Sequence, residues 1–185
     1  IGLEALQTYQ RSRGAPWLEA YKWPVMCFVA VGFWNTVGAG LLGFALNPPA
    51  SLYYMQGMNL TAAHGHAALF GVYGMLGIGL LLFCLRGLSS RAAWSDRLLA
   101  PMFWLLNIGL AMMVFISLVP AGIYQAWASI TQGVWYARSA AVVHSHWMET
   151  FVWMRVPGDI VFSLGVACLA LFAWQLFNAD RRAPE

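Results

Sequence analysis

Apolar residues run almost unbroken through four stretches of the chain, near Pro24 to Leu46, Leu60 to Leu85, Leu99 to Ile123 and Val156 to Phe177, with the charged residues gathered between them. A hydrocarbon core about 30 Å thick is crossed by about 20 residues at helical rise, so each stretch is long enough to span it as a helix. Gly and Ala recur at close-packing spacing, as at Ala39 to Gly43 and Ala67 to Gly71. Small residues let backbones meet where lipid offers no hydrophobic drive between helices. The pattern predicts an all-α fold, a polytopic bundle of four transmembrane helices. Residues 1–185 read as one membrane-domain segment, without internal repeat, low-complexity tract or soluble domain.

Composition agrees, with 61% of the 185 residues hydrophobic and 9% charged, against about a quarter charged in soluble domains. Ten Lys plus Arg against seven Asp plus Glu leave a net charge of +3, with no clustered basic face of the kind that binds nucleic acid. The basic residues bear on topology instead. Arg11, Arg13, Lys22, Arg86, Arg91, Arg97, Arg181 and Arg182 fall at the two ends and around the loop from Gly87 to Leu98; only Arg138 and Arg155 fall in the other two loops. By the positive-inside bias the ends and that loop are expected in the cytoplasm. The first outer loop, Asn47 to Asn59, is uncharged and carries Tyr53 and Tyr54 as interfacial anchors. The second, Tyr124 to Arg155, is rich in Trp and reads as a partly helical cap on the membrane surface. Cys27, Cys84 and Cys168 show no CxxC spacing and read as packing residues. The chain starts at Ile1 with no signal-peptide pattern, and is read as the C-terminal portion of a longer polypeptide.

Two ligand-type side chains stand out. In Ala63-His64-Gly65-His66-Ala67 both histidines lie about one turn inside the outer end of the second helix, where polar groups are expensive and functional by default. Residues i and i+2 diverge by about 200° on an α-helix, so the two rings cannot share one ion. They can each offer a nitrogen to a separate flat cofactor on opposite sides of the helix, and Gly65 with Ala62, Ala63, Ala67 and Ala68 leaves room for it. The alternative is that both are neutral and hydrogen-bonded inside the bundle.

The stretch from Tyr54 to Met75, YMQGMNLTAAHGHAALFGVYGM, resembles the tenth core helix of the catalytic subunit of nitric oxide reductases, relatives of the haem-copper oxidases. Phe33 to Phe44 followed by Asn47-Pro48-Pro49 resembles the preceding helix and loop, and Trp135-Tyr-Ala-Arg-Ser139 and Arg155-Val-Pro-Gly-Asp159 resemble later segments. The likeness covers nearly the whole chain, as the last four helices of that subunit. Asn-Pro-Pro and the segment around Asp159 look more like the quinol-dependent single-chain form. The resemblance implies that His64 is the proximal ligand of a high-spin haem b and His66 an axial ligand of a low-spin haem b. It implies reduction of two NO to N2O and water with electrons from quinol, in a bacterial inner membrane.

Asp159 follows Pro157 at the outer mouth of the fourth helix. Its carboxylate either caps the free N–H groups of the first turn or, as the resemblance implies, binds quinol and takes its proton, with Arg155 pairing to Asp159 or to a haem propionate. His144 and His146 repeat the spacing in the outer loop, where they read as surface residues. Asn35, Tyr73 and Asn107 read as interhelical hydrogen-bonding groups. The family's non-haem iron is held by three histidines and a glutamate on earlier helices, and no such set is present; nor is the second axial ligand of the low-spin haem. The chain is therefore expected to depend on preceding helices of the same protein or on a partner chain for those ligands. Two other readings stand beside this one, a haem-copper terminal oxidase segment and a non-catalytic membrane subunit.

Overall fold

A computed structural model describes residues 2–89 and 94–180. Its regular elements are helical throughout, and four helices are long and apolar enough to cross a membrane: Pro16–Leu46, Asn59–Leu88, Asp96–Gln132 and His146–Ala179. The all-α polytopic bundle is as expected. Of the basic residues counted for orientation, Arg91, Arg181 and Arg182 lie outside the described residues.

The first span starts at Pro16 rather than near Pro24. Pro16 suits the first helical turn, whose N–H groups have no helical partner. Pro24 then falls inside the helix, where it lacks an N–H and crowds the carbonyl four residues back, that of Ala20. Tyr21 responds with a non-helical φ of −108° and ψ of 16°. The Ala20 carbonyl accepts instead from Arg86 Nε, at the end of the second span, at 3.0 Å. The same guanidinium lies 5.1 Å over the Trp94 ring. Arg86→Ala removes the donor, and is expected to cost about 1–3 kcal/mol of stability. A thermal unfolding midpoint in detergent equal to that of the parent would show that water serves the carbonyl equally well.

Ahead of the first span, the helix Gly2–Arg11 turns back at Gly14, whose φ is +83°, and packs along that span with Gly2 over Gly32. One core joins the spans: Trp34, Met75, Leu82, Leu99, Met102, Leu106 and Phe172 are each no more than 1% exposed. The third span is the most enclosed of the four and the fourth the least. The fourth packs chiefly along the third, and a Cβ added at Gly109 would lie 2.5 Å from the backbone nitrogen of Phe162. Cys27 is buried in this core, whereas Cys84 is exposed on the outer surface rather than packed.

The third helix was expected to end near Ile123 but runs on to Gln132, stopping at Gly133, whose φ is +101°. Its last turns pack on the start of the second span and on the cap, so tertiary contacts sustain a helix that lipid no longer requires. Buried Gln125 in this extension accepts from both the backbone N–H and the side-chain amide of Asn59 at 3.0 Å each. That bond serves one of the orphan donors at the start of the histidine-bearing helix. Beyond Gly133 come the short helices Ala140–Val143 and His146–Trp153. The outer segment is thus helical, as expected. In the first outer loop, Pro49–Met55 forms a short helix with Tyr53 exposed.

Uniform α-helices were expected, yet the ladder slips to i→i+5 bonding over Asn35–Leu42, His66–Gly74 and Met113–Leu118. Such π segments insert a residue into the ladder and favour functional sites. The first two face each other, with Gly38 so close to Ala67 that an added Cβ would come within 2.4 Å of the alanine methyl. Asn107 is the interhelical polar group that was expected. It accepts from Trp34 Nε1 at 2.9 Å and donates to the Phe103 carbonyl at 2.8 Å. Asn35 and Tyr73 are exposed and do not play that part.

Candidate functional site

His64 and His66 sit on either side of the point where the second span passes from α (Asn59–Gly65) to π (His66–Gly74) geometry. Their rings meet different neighbours. His64 turns to the first span, where its Nδ1 lies 2.9 Å from the Gly38 carbonyl. The ring rests on Gly43, at which an added Cβ would come within 3.0 Å of His64 Cε1. His66 turns to the fourth span: its Nδ1 lies 2.8 Å from its own helix's Ala62 carbonyl, and its Nε2 lies 3.3 Å from Nη2 of Arg155.

A carbonyl oxygen only accepts, so both Nδ1 atoms must carry the proton and donate. A hydrogen bond of this kind from Nδ1 holds a ligating imidazole in one orientation, with the Nε2 lone pair as the donor to the metal. For His66 the lone pair accepts from Arg155. For His64 no hydrogen bond reaches Nε2 among the described residues. Between them, nothing lies within 4 Å of where a Gly65 Cβ would be, while Ala63 and Ala67 are fully buried beneath.

Arg155 occupies the turn between His146–Trp153 and Val156–Asp180 and pairs through Nε with Asp159 at 3.2 Å. Asp159 holds Arg155 through one carboxylate oxygen, one of the two pairings considered for that arginine. The side chains are 38% and 46% exposed, so the pair is open to solvent or to a ligand. His66, Arg155 and Asp159 form one cluster, and His64 stands apart from it on the other side of the helix. Sequence reasoning had no signal for the His66–Arg155 contact, which joins residues 89 positions apart. It also missed the carbonyl of Gly38, although the small-residue spacing from Ala39 to Gly43 hinted at a close approach.

The donor set fits haem iron, with two imidazoles each anchored through Nδ1, small residues between them and an apolar helix around them; at His66 the Arg155 guanidinium would have to yield Nε2 to the iron. His144 and His146 are exposed in the outer segment, as expected. Among the described residues no group of three or more His, Cys, Asp or Glu is placed to hold a metal ion.

Residues 9–161 match the family model described as cytochrome c and quinol oxidase polypeptide I. The chain is 31% identical over 136 residues to a nitric oxide reductase subunit of Stutzerimonas stutzeri, covering 71% of this chain and 28% of that protein. It thus spans little more than a quarter of that relative's length. With the match running through three of the four spans and into the fourth, past both histidines and Asp159, the chain belongs to the cytochrome c and quinol oxidase polypeptide I family.

Proposed function

We propose that this chain is the C-terminal four-helix part of a quinol-dependent nitric oxide reductase, embedded in a bacterial inner membrane with its ends and the loop from Gly87 to Leu98 in the cytoplasm. The observation that carries this is the pair of imidazoles two residues apart, each locked through Nδ1 to a backbone carbonyl and each turned toward a different span. His64 would hold the high-spin haem b at the reaction centre and His66 the low-spin haem b that passes electrons to it. The non-haem iron belongs to residues outside this chain, on preceding helices or a partner.

Haem iron supplies the one-electron chemistry; the residues here bind, orient and manage charge. The Gly38 and Ala62 carbonyls would hold each ring in orientation through Nδ1, with Nε2 as the ligand atom. Asp159 would accept a hydrogen bond from a quinol hydroxyl and then its proton, with Arg155 holding the carboxylate in position. Oxidation of one quinol releases two electrons and two protons, which matches reduction of two NO to N2O and water.

Pigment and metal analysis of the intact protein tests this. Two haems b, non-haem iron and quinol-driven NO consumption are expected. Copper with O2 reduction would point to a terminal oxidase instead, and absence of haem would leave a non-catalytic membrane protein. Asp159→Ala is expected to slow turnover with quinol by roughly tenfold, the worth of one hydrogen bond of about 1.4 kcal/mol, with little effect on turnover with an artificial electron donor. Equal slowing with both donors would remove Asp159 from the donor site.

A further inference from the structure

The three π segments meet at one side chain, the indole of Trp34, which is 1% exposed. Trp34 immediately precedes the first of them, Asn35–Leu42. Its ring covers Gly71 in the second, His66–Gly74, where an added Cβ would come within 2.5 Å of Trp34 Cγ. The same ring lies nearly parallel to Phe115 in the third, Met113–Leu118, at 6.3 Å and an interplanar angle of 12°. A hydrogen bond fixes the indole there. Its Nε1 donates to Asn107 Oδ1 at 2.9 Å, and the Asn107 amide donates to the Phe103 carbonyl at 2.8 Å. That amide also lies 3.7 Å from Sδ of Met75, the residue that follows the second π segment. A buried indole N–H needs an acceptor, and because this one comes from the third span, the bond ties the register of three spans together.

The contacts continue from the indole to His64. Gly38 stands four residues beyond Trp34, about one helical turn, just as Ala67 stands four residues before Gly71. Trp34 on Gly71 and Gly38 on Ala67 are therefore successive rungs of one seam between the first and second spans. Both rungs are too tight for a Cβ on the glycine, so no side chain lies between to absorb a displacement. At the second rung the Gly38 carbonyl meets His64 Nδ1 at 2.9 Å. His66 has no share in this chain of contacts, since the carbonyl beside its Nδ1, that of Ala62, belongs to its own helix.

We propose that Trp34, held by Asn107, is a positioning residue for His64: it fixes the distance from the Gly38 carbonyl to Nδ1 and thereby the basicity of Nε2 toward the high-spin haem iron. The proposal rests on His64 being the ligand of that haem. A close acceptor at Nδ1 makes an imidazole a more basic ligand, which strengthens the iron–nitrogen bond and favours ferric iron. The test uses the intact protein with Trp34→Phe, which keeps an aromatic ring over Gly71 and lacks the N–H, and Asn107→Leu, which removes the acceptor. The iron–imidazole stretching band of the reduced high-spin haem is followed by resonance Raman spectroscopy, and both haem potentials by redox titration. Each variant is expected to move the band to lower frequency and the high-spin potential upward, with the low-spin potential unchanged. Release of the high-spin haem is expected to quicken roughly tenfold, the lower end of the loss that follows disturbance of an outer partner. The double variant is expected to match either single one, because both remove the same bond. An unmoved band in Trp34→Phe would overturn the proposal, even if Asn107→Leu did not fold. Equal shifts of both haem potentials would also overturn it, since they would report a general loosening of the bundle. A parent protein that binds haem at His66 yet has no iron–imidazole band would overturn the reading of His64 as ligand, and the positioning role with it.

Discussion

His66→Ala in the intact protein is expected to abolish the low-spin haem absorption, a sharp reduced α band, while leaving high-spin haem; His64→Ala is expected to do the reverse. The reason is separation. The two rings are tied to different carbonyls, Gly38 for His64 and Ala62 for His66, so loss of one leaves the other's tautomer and orientation intact. The fold has little stake in either ring. Ala62 also accepts from a backbone N–H, and Arg155 keeps Asp159 at 3.2 Å without His66. An axial imidazole is the iron's own bond, so its removal should empty the site, beyond the tenfold to hundredfold that loss of an outer partner costs. Imidazole added to either variant should restore part of the missing signal. Both spectra persisting in either variant would overturn the ligand assignment.

Gly109→Val is expected to destabilise the bundle by about 3 kcal/mol or more, the upper range for overpacking, because the obstruction is backbone. An added Cβ there would lie 2.5 Å from Phe162 N and 2.7 Å from its Cα, so the fourth span itself must move. That span is the least buried of the four, and it carries Arg155 and Asp159 at the start of its helix Val156–Asp180. Haem retention at His66 should therefore fall along with the thermal midpoint. Gly77→Val is the control: its added Cβ meets nothing within 4 Å, so the same change in helix propensity occurs without a clash. Equal midpoints for the two variants would mean that the third and fourth spans do not pack as closely as described.

The contrast between the two histidine pairs shows how far residue type and spacing reach. His64-Gly-His66 and His144-Ser-His146 have the same spacing, and only the apolar surroundings of the first marked it as costly and therefore purposeful. The exposures differ in the same sense: His144 and His146 are exposed while His64 and His66 are half-buried. Their opposed directions also follow from helical geometry alone. What each ring touches does not. Pro24 gives a second example: its place in an apolar run suggested a helix start, whereas the helix begins at Pro16 and Arg86, 66 positions from Ala20, repairs the interruption.

The sequence by itself determined the class of the protein, its four spans, the two imidazoles and their divergence, because hydrocarbon thickness and helical pitch act on neighbouring residues along the chain. Only the tertiary structure decided which nitrogen of each ring faces outward, that Arg155 joins Asp159 to His66, and where the helices slip into π geometry. Those outcomes rest on a carbonyl, a guanidinium or a close glycine contact contributed by another part of the chain, and a contact between distant segments leaves no period in the sequence to be read.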